Sequence, residues 1–288
     1  MLRPFRVLNP SNVREAATEL GRLGEQAKVY AGGAELVLLL RHRLIQADIL
    51  VNIKRIPDLN EISRNGQAMH IGATVTHHQL EKDPQVREAL PMFAYAESRI
   101  GNIRVRNQGT LGGNLCFADP YADPGTALLV HEATACLMGK DAERTLPLEE
   151  FLKGAYETAL EPDELFTGVQ VSSLPAGWGH AYLRIERYHR PTLNVAAAAK
   201  LHDARIDGLR LAVGCVGPKA IRLRELESKI QGLSLGDAER VLNEGKPYLT
   251  EKLQPVDDLL GSADYKIHIT SVLLGRALRQ AVLDKGDG

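Results

Sequence analysis

The chain has 288 residues, 44% of them hydrophobic, enough apolar material for more than one core. Its 35 Lys and Arg nearly cancel its 36 Asp and Glu, for a formal charge of −1, and no basic stripe or like-charge tail stands out. Nucleic acid and anionic membrane surfaces are therefore not expected partners, and the longest apolar run, residues 36–40, is too short to span a bilayer.

The opening Met1-Leu2-Arg3-Pro4-Phe5-Arg6 lacks the apolar stretch of a secretory signal, so a cytoplasmic location is the expectation. Cys116, Cys136 and Cys215 are widely spaced without a CxxC, whereas an iron–sulfur cluster normally takes four clustered thiolates. No such cluster is expected in this chain. There is no Cys/His zinc pattern, HExxH, Walker loop or GxGxxG. The pair His77-His78 is read as exposed surface, because neighbouring side chains on a helix diverge, and the other histidines are read as structural.

In chain order, Asn12 and Glu15 form a capping box for a helix in which Val13, Ala16, Ala17, Leu20 and Leu23 recur at helical spacing. Residues 27–31 read as a strand entering Ala31-Gly32-Gly33-Ala34-Glu35-Leu36. A helix over 35–44 and a buried strand over 49–53 complete a βαβ-like unit that Pro57 ends. Strand-like runs cover 59–62 and 69–75, Thr76 caps a helix stopping before Pro84, and another helix spans 91–100. An apolar, strand-like stretch from Ile103 leads into Thr110-Leu111-Gly112-Gly113-Asn114. Pro124 opens a helix through Val130, with strands at 133–138 and 165–171. Leu174-Pro175-Ala176-Gly177-Trp178-Gly179 is rich in turn formers and divides a domain over 1–175 (subdomains about 1–57 and 58–175) from one over 178–288. Beyond it, 195–201 and 209–216 read as paired antiparallel strands, followed by helices at 237–243 and 267–282.

Two glycine pairs carry the chemistry. Glycine lets a backbone approach a ligand closely, and successive N–H groups at such turns make a concavity suited to phosphate. Two such turns, one in each half of the N-terminal region, point to a pyrophosphate gripped from both sides, and so to a dinucleotide. Thr110 offers a hydroxyl and Asn114 an amide to phosphate or ribose oxygens. Gly32-Gly33 could also be only a tight strand-to-helix turn; its similar placement to the second pair favours the ligand. The Glu35 side chain is assigned to a helix first turn, with the amides of residues 32–36 doing the binding. Asp119 is read as a turn or cap residue, while for Asp123 a cap and a ligand role stand even. With no nucleophile–base constellation, a bound cofactor is expected to supply any chemistry.

These segments resemble the FAD-binding (medium) subunits of molybdenum hydroxylases over essentially the whole chain. The resemblance extends to Ile103-Arg104-Val105-Arg106-Asn107-Gln108-Gly109, Asp119-Pro120, Asp123-Pro124, Arg190-Pro191-Thr192-Leu193-Asn194-Val195-Ala196 and Ser262-Ala263-Asp264-Tyr265-Lys266. It implies an α+β protein: a PCMH-type FAD-binding fold of two α/β subdomains, then a smaller C-terminal domain with a three-stranded antiparallel sheet and helices. It implies that Ala31, Gly32, Gly33, Ala34, Glu35 and Leu36, with Thr110, Gly112, Gly113 and Asn114, hold the pyrophosphate. Asp123 would bond near the flavin ring or ribityl chain, and Leu165 and Phe166 would pack on the isoalloxazine, although a buried Phe is also ordinary core. Arg187 would stand where relatives have a lysine near the flavin. Ala34 occupies the position of a histidine that some flavoproteins of this fold link covalently, so non-covalent FAD is expected. Asn194 and Lys266 depart from the usual Asp and Arg and are read as structural.

The function so implied is electron transfer. A large subunit with a molybdenum cofactor would hydroxylate a purine, aldehyde, N-heterocycle or carbon monoxide. A small subunit with 2Fe–2S clusters would pass electrons to FAD here, for NAD, quinone or another acceptor, in a dimer of heterotrimers. Two rivals stand beside it. A lone, active chain would favour a freestanding FAD oxidase or dehydrogenase of the same fold. Absence of any thermal shift with FAD, FMN or NAD would favour a scaffold whose glycine turns are purely structural.

Overall fold

The computed structural model describes residues 3–187 and 190–283. The chain opens with a parallel sheet in the order β1–β3–β2, made of β1 (Arg6–Leu8), β2 (Ala27–Tyr30) and β3 (Ile49–Asn52). β3 is the central strand, and its Ile-Leu-Val run is buried on both faces, as parallel strands require. α1 (Val13–Leu23) links β1 to β2. Asn12 caps it by accepting from the Glu15 N–H at 2.9 Å, but the Glu15 carboxylate reaches back to Ser11 instead of closing the expected box on Asn12. α2 (Leu36–Arg41) is shorter than the expected 35–44, because Arg43 turns left-handed at φ 61°. β1 was not expected. Its three residues are largely exposed and carry no alternation that a sequence could display.

The second sheet is antiparallel, ordered β4–β5–β10–β6–β7. After β4 (Ile62–Asn65) and β5 (Ala68–Gly72) the chain leaves for six helices: α3 (His77–Lys82), α4 (Pro84–Ala89), α5 (Pro91–Ser98), α6 (Ile103–Gln108), α7 (Leu111–Phe117) and α8 (Pro124–Val130). It returns through β6 (Thr134–Met138), β7 (Glu143–Pro147), α9 (Leu148–Phe151), the small hairpin of β8 (Leu152–Gly154) and β9 (Glu157–Thr158), and finally β10 (Leu165–Ser172). Thr76 caps α3 in a reciprocal box with Gln79. Pro57–Asn60 is a 3₁₀ turn where a strand was expected from residue 59.

The larger correction concerns the approach to the second glycine pair. The β-branched Ile103 and Val105 suggest a strand, yet they lie in α6, whose cap Asn102 accepts from the N–H groups of Arg104 and Val105. Thr110 then caps α7, so Gly112 and Gly113 sit in the first turn of a helix and follow no strand.

The third sheet is antiparallel and joins three long strands, β11 (Gly179–Arg187), β12 (Arg190–His202) and β13 (Arg205–Gly214), to the two-residue β14 (Ile221–Arg222). α10 (Arg224–Ile230), α11 (Leu235–Glu244), α12 (Lys246–Leu253) and α13 (Ala263–Leu283) follow. The run Ala196-Ala197-Ala198-Ala199 in β12 is buried throughout, and strand alternation divides it between two cores. Ala197 and Ala199 join Leu274 and Ala277 of α13, whereas Ala196 and Ala198 join Leu128 of α8. Small side chains on both faces let a helix pack closely on each, which ties the C-terminal sheet to the second one.

Candidate functional site

A cleft of about 480 Å³ collects the expected residues. Residues 31–36 enter it from the β2–α2 turn, Thr110, Gly112, Gly113 and Asn114 from the head of α7, Asp123 from the turn before α8, and Leu165 and Phe166 from β10. Arg187 ends β11, and its side chain lies outside the described residues.

The glycines are also required by the protein packed around them. A Cβ on Gly32 would meet the Gln108 carbonyl oxygen, and one on Gly112 would lie 2.7 Å from the Ala73 Cβ. Gly33 has φ +78°, and a Cβ there would lie 2.4 Å from the Tyr30 ring. The missing side chains make room for neighbouring protein, and at Gly32 this sets the first turn against the residues just before Thr110.

The amides divide unequally. In the second motif Leu111 N–H donates to Val75 O, Gly112 to Ala73 O, Gly113 to Thr110 Oγ1 and Asn114 to Thr110 O, so these four are spent on protein. The Thr110 hydroxyl expected to face a ligand is thus already an acceptor within its own cap. By contrast, the N–H groups of residues 32–36 have no hydrogen-bond partner among the described residues. Asn114 supplies something else: its Oδ1 is buried and has no partner.

Asp123 makes no cap bond to α8; its carboxylate turns toward the C-terminal sheet. Tyr182 donates its hydroxyl at 2.6 Å and Asn194 its amide at 3.0 Å to Oδ1, while Arg184 Nη1 lies 3.2 Å from Oδ2. Burial pushes the carboxyl upward, and the guanidinium and the two hydrogen bonds oppose that shift. Thr126 in turn donates to Asn194 Oδ1 at 2.7 Å, so the departure at Asn194 supplies both a donor and an acceptor.

At the rim, Asp119 accepts from Tyr121 N–H at 2.9 Å, as a turn residue should, and it also faces Arg190 at 3.5 Å. Arg190 lies over the Tyr121 ring, and the Tyr121 hydroxyl donates to Asp258. Lys266, fully buried, donates to the same carboxylate at 2.6 Å. Glu35 lines the cleft as the N-terminal flank of α2 but makes no cap bond; burial, then the nearby Asp119, raises its carboxyl. Phe166 is 3% exposed and packs on Phe151 with ring centroids 5.2 Å apart.

One reading fails outright. His77 is not surface: it is 2% exposed, lines the cleft, and sits 2.6 Å through Nδ1 from the buried Glu97. The Thr76–Gln79 box fixes His77 at the start of α3, but nothing local marks a partner twenty residues away.

Residues 3–173 match the family described as the FAD binding domain in molybdopterin dehydrogenase, and residues 182–281 match the CO dehydrogenase flavoprotein C-terminal domain. The chain is 31% identical over 274 residues to the carbon monoxide dehydrogenase medium chain of Hydrogenophaga pseudoflava, spanning 94% of this chain and 95% of that one. It is 29% identical over 282 residues to the nicotine 6-hydroxylase medium subunit of Paenarthrobacter nicotinovorans, spanning 97% and 98%. Among solved structures, the Hydrogenophaga pseudoflava carbon monoxide dehydrogenase lacking the Mo-pyranopterin moiety matches with a TM-score of 0.92 at 31% identity over 98% of each chain. Quinoline 2-oxidoreductase from Pseudomonas putida 86 matches at 0.88 and 26%, again over 98% of each. The chain belongs to the FAD-binding subunits of the molybdenum hydroxylase family, which are oxidoreductases.

The cleft fits that cofactor. Its volume is in the range of small-molecule sites, and the five amides without a partner among the described residues suit diphosphate oxygens, with Asn114 lining the same cleft. No helix among the described residues is long and apolar enough to cross a membrane.

Proposed function

We propose that this chain is the electron-transfer subunit of a multi-subunit molybdenum hydroxylase, working in the cytoplasm. A large subunit carrying the molybdenum cofactor hydroxylates a purine, aldehyde, N-heterocycle or carbon monoxide. A small subunit delivers electrons from its 2Fe–2S clusters to this chain, and NAD, a quinone or another acceptor removes them. The assembly is a dimer of such heterotrimers. The observation that carries this reading is the row of unpartnered amides at 32–36, gathered with Asn114 and Asp123 on one cleft.

When bound, FAD supplies the exchange between one-electron and two-electron carriers. The chain's own residues bind and shield it. The amides of 32–36 hold the diphosphate, and Asn114 orients the adjoining chain. Asp123, held by Tyr182, Asn194 and Arg184, offers an acceptor that cannot swing away from the ring and ribityl region. Leu165 and Phe166 give that region a dry wall. Ala34 has no side-chain nucleophile, so FAD binds without a covalent link. Residues 1–175 supply most of the cleft, and 178–288 brace it and add Arg190 and Pro191 to its rim. No group in this chain acts on the organic substrate.

The test is reconstitution and co-purification. The full chain is expected to take up one FAD with a flavin spectrum, and to purify with a molybdenum-cofactor subunit and a 2Fe–2S subunit. A chain that binds no FAD overturns the cofactor assignment, and a chain that oxidises substrate alone overturns the subunit role.

A further inference from the structure

One buried titratable pair in the cleft wall has no part in that reading. Glu97, on α5, is 0% exposed; its Oε2 lies 2.6 Å from His77 Nδ1, and its Oε1 is buried without a hydrogen-bond partner. His77 opens α3 and lines the cleft together with Thr110 and Asn114. Its backbone N–H donates to Gly109 O at 3.1 Å, and its ring packs so tightly on Gly109 that a Cβ there would lie 2.9 Å from Cδ2. The ring is therefore fixed from both sides, and its remaining nitrogen, Nε2, has no hydrogen-bond partner among the described residues.

A count of protons decides what Nε2 offers. A Glu97 carboxylate facing a neutral imidazole leaves an uncompensated charge in a fully buried place, with one oxygen unbonded. The carboxylates of Glu81 and Asp123 add repulsion, and burial itself raises the Glu97 carboxyl. Of the arrangements of the pair without net charge, the one with the acid protonated on Oε1 and Nδ1–H donating to Oε2 would leave a buried O–H without an acceptor, so two remain. In one, an imidazolium faces the carboxylate, and both ring nitrogens bear hydrogen. In the other, the neutral acid donates to Nδ1, and the ring's single hydrogen is on Nε2. Both make Nε2 an N–H donor.

We propose that His77 is a cofactor-binding residue whose Nε2–H donates to an oxygen of the diphosphate–ribityl chain of FAD, with Glu97 as the positioning residue that keeps the hydrogen there. The inference rests on the cleft being the FAD site. It also accounts for an acid in the core with a free oxygen: Glu97 sets the protonation of a neighbour that faces the ligand. An apolar residue at 97 would leave the ring free to populate the tautomer with a bare Nε2.

The experiment uses the full chain stripped of flavin, with FAD titrated by fluorescence and the histidine ring nitrogens followed by ¹⁵N NMR. His77→Phe is expected to weaken FAD binding by about tenfold or more, and His77→Gln, which keeps an amide donor, to hold it within about threefold of the original. In the unsubstituted chain Nε2 is expected to carry hydrogen at neutral pH with and without FAD, and Glu97→Leu to give mixed tautomers. A folded His77→Phe that binds FAD as tightly as the original, or a bare Nε2 in the unsubstituted chain, overturns the proposal. The NMR arm decides the matter even where a substitution prevents folding. An unsubstituted chain that takes up no FAD overturns instead the cofactor assignment beneath it.

Discussion

Gly32 and Gln108 touch backbone to backbone: a Cβ on Gly32 would stand 2.1 Å from the Gln108 carbonyl oxygen and 3.1 Å from the Gly109 Cα. This contact joins the β2–α2 turn to the end of α6, so the amide row of the first motif and the Thr110 cap of the second share one cleft. Backbone atoms cannot rotate away from an intruding methyl as a side chain can.

Gly32→Ala is therefore expected to lower unfolding free energy by about 1–3 kcal/mol and to weaken FAD binding in the same protein. Gly236→Ala serves as the control. Gly236 is the second residue of α11, with open space where its Cβ would go, and the change should stabilise by no more than about 0.5 kcal/mol. Denaturant unfolding with a parallel FAD titration measures both, and equal effects at the two sites would rule out the backbone contact as the cause.

Asp123→Ala removes the acceptor shared by Tyr182, Asn194 and Arg184 and leaves a guanidinium of 4% side-chain exposure without that carboxylate. Arg184 keeps Glu186 at 2.9 Å and the Arg99 carbonyl at 2.6 Å, so a loss of about 1–3 kcal/mol is expected in urea unfolding, with a smaller loss for Asp123→Asn, which keeps the shape and one oxygen. Equal losses would mean that packing, and not charge, fixes this joint.

His131 gives the fold an acid sensitivity of its own. It is 2% exposed and bonded through Nδ1 to Ser172 O at 3.0 Å, and burial pushes its imidazole down from the usual 6.5 to about 4. Above the unfolded value neither state binds the proton; between the two values only the unfolded state does. Stability from this group is thus complete above about pH 6.5 and declines as pH falls toward about 4, by about 3 kcal/mol in all. His131→Met should remove that decline from the pH–stability curve, and an unchanged slope in the variant would assign the acid sensitivity to other groups.

FAD should leave the protein on acid precipitation and appear in the supernatant, because Ala34 offers no atom for a covalent link. Flavin that stays in the pellet through the wash would contradict this.

Elements with strong local signals could be read from the sequence. Pro124–Val130 is helical over the expected residues, and the strands expected at 195–201 and 209–216 correspond to the antiparallel pair β12–β13, the second ending at Gly214. The last helix was foreseen at 267–282 and runs Ala263–Leu283. What escaped was set by contacts distant in sequence. Ile103 and Val105 favour a strand by type, but the Asn102 cap starts a helix there despite that preference. Both glycine pairs were legible as motifs, but the protein contacts that Gly32, Gly33 and Gly112 make room for were not, nor that only the first pair leaves its amides without protein partners among the described residues. The surface reading of His77-His78 rests on the divergence of adjacent side chains on a helix, which says nothing of the acid on another helix that His77 meets.

Asp123 draws its partners from residues 182, 184 and 194, all supplied by strands far downstream of it. During synthesis, the first two sheets can emerge from the ribosome while this wall of the cleft still lacks its supports. A nascent chain that has not yet released residue 194 therefore presents an Asp123 carboxylate without Tyr182, Arg184 and Asn194 to hold it.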